Sequence, residues 1–359
     1  MNRTSLRWFY GCLACLAGTL LLGIALRWVF TGWTLPWGLQ FKHLKHAHSH
    51  LGYYGVMFPI VWLFWRHKGS FQLHPIALVL YAIGIVMSTI GFVRAGYAID
   101  SIIGSTLVGL VWLVSAWKQR RELLQSMSWL SSAPLGILLA SCMIPPIAVY
   151  TRKDPAFALQ LVQTFLSLLI FLVALPSVLK RLNMVAPWTL YWLICGISGS
   201  LFVGIVPHPV LGLGLVGMAS WVFWGAFGDE DVPRDQQVMW LLWAMGLAAL
   251  GLELVPNNHL IAIAGIHLTL LGPFLAGAAL TLVPRPGFPS WLRWVYITTL
   301  FVMVGAIGIQ HYHPHHEWSY VSAVSGSLLG LWITWAAIWL LRQKNLTLWL
   351  SQTEKSDIS

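Results

Sequence analysis

The chain repeats one pattern almost from end to end: an apolar run close to membrane-spanning length, a short polar break, then another run. A helix needs about 20 mostly apolar residues to cross the hydrocarbon of a bilayer. Twelve runs qualify, at 8–30, 46–66, 73–93, 99–117, 129–150, 156–179, 188–206, 209–228, 238–255, 258–283, 291–310 and 320–341. Apolar residues make up 58% of the chain and charged residues only 9%, against about 25% charged in an ordinary soluble domain. Too little charge is left to coat a water-facing surface. A soluble globular protein, a disordered chain and a disulfide scaffold are therefore excluded. The expected fold class is all-α, a polytopic transmembrane helical bundle of about 12 spans. Residues 1–345 then form a single integral membrane domain, and 346–359 a cytoplasmic tail.

The formal charge of +10 comes from 21 Lys/Arg against 11 Asp/Glu. The cations sit in the breaks between apolar runs, where they set orientation, so no nucleic-acid partner is expected. With the N-terminus inside, Arg3, Arg7, Arg66, Lys68, Lys118, Arg120, Arg121, Lys180, Arg181, Arg234, Arg285, Arg293, Arg342, Lys344 and Lys355 fall on the inner side, fifteen of the 21. Arg27, Lys42, Lys45, Arg94, Arg152 and Lys153 fall outside. That bias puts both termini in the cytoplasm and makes the number of spans even. No small-residue cleavage site follows the first run, so it is expected to stay as a helix. Cys12, Cys15, Cys142 and Cys195 all lie in apolar runs and read as helix-packing residues. Tryptophans near run ends read as an interfacial belt.

The same orientation sorts the histidines. His67 and His74 fall inside, while His43, His46, His48, His50, His208, His259, His267, His311, His313, His315 and His316 fall on the outer side or in the outer half of a helix. Imidazole is the commonest metal-ligating side chain. Several imidazoles entering a span carry a desolvation cost that points to a use.

Two clusters open spans that run from outside to inside. The first is His43-Leu-Lys-His46-Ala-His48-Ser-His50, leading into Leu-Gly-Tyr-Tyr-Gly-Val-Met-Phe-Pro. On a helix, His46 and His50 share a face, and His48 points to roughly the opposite one. The second is Asn257-Asn258-His259 followed by Gly265-Ile-His267-Leu-Thr-Leu-Leu-Gly272. His267 lies about 12 Å further along the axis than His259, inside the hydrocarbon. His50-Leu-x-x-x-Gly55 echoes His267-Leu-x-x-x-Gly272. A glycine one turn below a histidine leaves room for a flat ring. Two co-directional helices of this kind can hold a haem by axial ligation.

The stretch Ala47-His48-Ser49-His50-Leu-Gly-Tyr-Tyr-Gly55 resembles the AHxH-x-x-aromatic-Tyr-Gly segment of nitric-oxide reductase catalytic subunits. His46-Ala-His48 with the later glycine is similar to the WHAH opening of NnrS-type haem–copper membrane proteins, and Gly265 through Arg285 to the later His-to-Pro-Arg helices of both. The resemblance implies a haem–copper oxidase-like bundle in a bacterial inner membrane, with the two histidines of the HxH on two different haems. It also implies a b-type haem, copper as a second metal, a cytochrome or quinol electron donor and partner membrane subunits. The chain departs from that family where buried copper is held. Its sixth run offers only Gln160 and Gln163, and its seventh has no histidine. Acids for an inner proton path are also missing, since Asp100 and Glu253 lie near outer span ends.

A third cluster, His311-Tyr-His313-Pro-His315-His316-Glu317, falls in the outer loop between the last two spans. Its four imidazoles and carboxylate suit copper or zinc. Arg94 and Arg152 are candidates for pairing haem propionates.

The expected function is membrane haem binding for electron transfer or small-gas chemistry, such as nitric oxide or oxygen, in a respiratory-type oxidoreductase or its subunit. His48, His50 and His267 are the leading axial ligands, with His46 and His259 behind them. The alternative is a copper or zinc transport or delivery protein with a periplasmic His-rich capture site. A non-haem diiron oxygenase fits less well, because its histidine boxes would face the cytoplasm.

Overall fold

The computed structural model describes residues 3–66, 73–125, 132–175, 234–251, 259–276, 290–310, 312 and 316–342. Among these the regular structure is entirely helical. Long apolar segments favour this outcome because a helix satisfies its backbone hydrogen bonds internally, which lipid demands. The helices are α1 (Arg3–Val29), α2 (Phe41–Leu51), α3 (Phe58–Arg66), α4 (Pro75–Ala95), α5 (Ile99–Gln125), α6 (Ser132–Lys153), α7 (Pro155–Leu168), α8 (Arg234–Gly251), α9 (His259–Thr269), α10 (Ser290–Ile309) and α11 (His316–Arg342). Ten of the twelve expected spans coincide with helical segments. The runs 188–206 and 209–228 lie outside the described residues. Among the described residues, six helices are long and apolar enough to cross a membrane: Trp8–Val29, Pro75–Ala95, Ile99–Lys118, Pro155–Ala174, Ser290–Ile309 and His316–Ile338. The protein is thus helical and fitted to a multi-pass membrane setting.

Local chemistry sets several helix ends. Pro75 and Pro155 occupy first-turn positions, where the missing N–H costs nothing. The Asp154 carboxylate accepts from the backbone N–H groups of Ala156 and Phe157, each at 3.1 Å. Gly96, at φ +66°, ends α4 in a conformation that disfavours other residues.

Among the described residues three segments widen into π-helix: Gly52–Met57 between α2 and α3, Leu169–Ala174 after α7, and Leu270–Ala276 after α9. Each has a proline beside or within it. Pro59 and Pro176 come two residues after the first two segments, and Pro273 lies inside the third. Proline cannot donate to the carbonyl four residues back, and its ring clashes with that carbonyl. Shifting the ladder to five-residue bonds relieves the conflict. Phe58 N–H accordingly donates to Tyr53 O, and Leu175 N–H to Ile170 O.

The chain divides into two compact units, Met1–Val111 with Ala279–Ser359, and Trp112–Ala278. In the first, α2 lies against both α1 and α4, and α11 packs on α1 and α10. Gly55 lets α1 approach closely, since a Cβ there would meet Cys15 Cβ at 2.5 Å. The Cys12 thiol points at Val56 O, 3.7 Å away. In the second unit α6 packs along α7 and its π-helical extension, and α8 along α9 and the π segment that follows. A Cβ on Gly136 would meet Leu172 Cβ at 2.7 Å, so this glycine sets how near α6 comes to that extension.

Candidate functional site: a histidine helix with two working faces

Helix α2 begins at Phe41, so His43, His46, His48 and His50 all lie on one regular helix. The helical period sends them two ways, as the sequence implies. His48 turns to α1, where its Nδ1 lies 2.9 Å from Thr19 O. A Cβ on Gly23 would stand 2.9 Å from His48 Cε1, so only glycine admits the imidazole at this spot. The opposite face of α2 meets the end of α4. There His50 lies against Phe92, ring centroids 4.0 Å apart at 31°, with Tyr54 at 5.2 Å and Tyr97 at 5.9 Å. His46 packs edge-on against Tyr97 at 4.6 Å. His43 closes against Gly96, where a Cβ would meet its Cδ2 at 2.9 Å. Phe92 is wholly buried and forms the floor of this aromatic cage.

The hydrogen bonds fix the imidazole tautomers. His50 Nδ1 lies 2.9 Å from His46 O, and His267 Nδ1 lies 2.8 Å from Ile263 O. A carbonyl oxygen only accepts, so in all three rings Nδ1 carries the hydrogen and donates it. The lone pair of each neutral ring then sits on Nε2. Metal-binding histidines commonly use this arrangement, with the second nitrogen held by a backbone carbonyl to orient the ring and raise its basicity.

His267 belongs to the other compact unit. Its helix, α9, is steadied two residues on by Thr269, whose hydroxyl donates to Gly265 O at 2.8 Å and accepts from Trp243 Nε1–H at 3.0 Å. Gly272, the counterpart of Gly55, is buried in the π segment that follows.

Some expectations need correction. Gly55 was expected to leave room for a flat ring below His50, but Cys15 of α1 fills that space. The glycine that accommodates a ring is Gly23, on the neighbouring helix. Arg94, a propionate candidate, pairs with Asp100 at 2.5 Å, with 71% of its side chain exposed. That pairing was legible: Arg94 and Asp100 flank a Gly-containing turn, and Asp100 starts α5. Arg27, an outer cation in the sequence, packs against α11, with Nη1 3.5 Å from Ser322 Oγ.

The side chains of Arg152 and His259 lie outside the described residues, as do His311, His313 and His315. His316 is described and stands exposed at the start of α11. Among the described residues no three His, Cys, Asp or Glu side chains converge as a metal-binding group. No protein-family model, curated protein or solved structure matches the chain.

Proposed function

We propose that this is a multi-pass membrane protein that binds haem, through His48, His50 and His267, for electron transfer or small-gas chemistry. The observation that carries this reading is the shared state of the three imidazoles: each gives Nδ1–H to a backbone carbonyl and so has its lone pair on Nε2. The donor chemistry fits an iron porphyrin. The macrocycle supplies four ligands to iron, so one or two imidazoles complete the set and no cluster of side chains is needed. Bound haem would supply one-electron redox chemistry and gas binding at an open axial position.

The chain's own residues have separate tasks on this reading. Thr19 O and Gly23 hold the His48 ring in one orientation. Phe92, Tyr54 and Tyr97 pack around His50 with apolar ring surface. A low dielectric on that side disfavours a net charge change and so bears on redox potential. Copper as a second metal needs further ligands. The loop around His316 is where the sequence offers them.

The test is an absorption spectrum of the purified, detergent-solubilised protein. The expected result is a Soret band that shifts on dithionite reduction. A colourless protein carrying stoichiometric copper or zinc would sink the haem reading in favour of metal delivery.

A further inference from the structure

Helices α1 and α11 pack side by side and antiparallel within one compact unit. One end of their seam is shut. Trp28 Nε1–H donates to Ser327 Oγ at 3.1 Å, and a Cβ on Gly330 would stand 2.7 Å from Ile24 Cδ1. Toward the other end Ala14, Ala17 and Ala337 place small side chains along the seam, and a groove of about 480 Å³ opens. It runs from Leu20 and Thr334 down to Tyr10 and Ile338. Such a volume is within the range of sites that hold small apolar ligands. Tyr10 and Ile338 are 39% and 44% exposed, so the groove opens outward. Its lining falls within Trp8–Val29 and His316–Ile338, two of the segments fitted to cross a membrane. Read as spans, they set the groove at hydrocarbon depth.

The open end of the groove leads to cations. From Tyr10, a step of three residues back along α1 reaches Arg7, and a further step of four reaches Arg3. Steps of three and four keep to one face of a helix, so both belong to the groove face of α1. From Ile338, a step of four along α11 reaches Arg342, the last residue of that helix. Arg7 and Arg342 thus come just past the ends of two antiparallel spans, at the level of lipid headgroups. The first turn of α1 has no acid to offset them. An anionic phospholipid complements both parts, with an acyl chain for the apolar groove and a phosphate for the guanidinium groups. A zwitterionic lipid fills the groove equally well but brings no net charge to the arginines.

We propose that the α1–α11 groove is a binding site for one anionic phospholipid, its acyl chain lying along Ala14, Ala17 and Ala337 and its phosphate at Arg7 and Arg342. The site does not depend on the haem reading above.

The experiment uses the full chain, delipidated in detergent, and titrates it with dioleoylphosphatidylglycerol or dioleoylphosphatidylcholine, which share the same chains. Bound lipid is counted by native mass spectrometry. Wild type should bind the anionic lipid roughly 10- to 30-fold more tightly, the scale expected of two basic residues near a lipid phosphate. Arg7→Gln with Arg342→Gln should lose that preference and bind both lipids as wild type binds the zwitterionic one. Ala14→Phe with Ala337→Phe, which fills the groove, should weaken both lipids alike. A preference that survives the double arginine replacement overturns the proposal, as does binding unchanged by the filled groove. A wild type that binds both lipids equally leaves the arginines as orientation signals only and also overturns it. So does a wild type that takes up neither lipid, which would give the groove to another occupant. Should the variants fail to accumulate, wild type decides through a phosphatidylglycerol with a photoreactive acyl chain. Cross-links are expected within 10–20 and 333–338, and cross-links confined to other segments overturn the site.

Discussion

Helices α2 and α9 carry the same short pattern, a histidine followed by leucine and, five residues on, a glycine, yet they use it differently. On α2 the imidazoles are set by neighbouring helices: Thr19 O and Gly23 of α1 position His48, and Phe92 of α4 with Tyr97 beyond it encloses His50. On α9, His267 gives its Nδ1–H to Ile263 O of its own helix, as His50 does to His46 O on α2. Matching glycines also part ways, since Gly55 receives Cys15 while Gly272 sits inside a proline-containing π turn. Sequence similarity at this scale therefore fixes which imidazole nitrogen carries the hydrogen, through the helical i−4 carbonyl. Tertiary packing decides how firmly the ring is held.

Substituting the proposed haem ligands tests this contrast most severely. His267→Ala is expected to abolish or reshape the Soret band, and His48→Ala and His50→Ala each to change it; an unchanged spectrum in His267→Ala removes that residue from the ligand set. Next in size is Gly55→Ala, which forces a methyl into Cys15 Cβ at 2.5 Å. It should cost about 1–3 kcal/mol by overpacking, read as a lower thermal midpoint in detergent. The swap Cys15→Gly with Gly55→Ala should recover most of that loss, and failure to do so would refute the close approach of α1. On the α9 side, Thr269→Val strips the partner from the buried Trp243 Nε1–H. A loss of about 1–3 kcal/mol is expected, with a blue shift of tryptophan emission. Smallest is Asp100→Asn, which breaks an exposed ion pair worth about 0–1 kcal/mol. Its thermal midpoint and spectrum should stay close to wild type.

Much of the fold could be read from the chain because lipid leaves few choices. Apolar runs of sufficient length favour helices, and ten of the expected runs are helical over their described residues. The two-faced distribution of His46, His48 and His50 also follows from periodicity alone, and α2 obeys it. What could not be read depends on which helix lies next to which. Nothing near Gly55 in sequence announces Cys15, and nothing near His48 announces Gly23, 25 positions away. The packing of Arg27 depends on Ser322 and Gly326, almost 300 residues later. The π segments lie between these extremes. Pro59, Pro176 and Pro273 were in plain view, and a stricter count of backbone donors would have flagged the widened turns beside them.

The widened turn at Gly52–Met57 has a consequence for length changes in this stretch. Each residue added to or removed from a helix rotates everything beyond it by about 100°. The π segment works as a phase adjuster: above it the imidazoles keep one clocking, and below it Trp62 keeps another, stacked on Trp8 and tilted against Tyr81. Removing a single residue between His50 and Pro59 would shorten the chain trivially, but it would pit the two halves against each other. Either the rings at 48 and 50 or the tryptophan stack would have to swing to a new bearing.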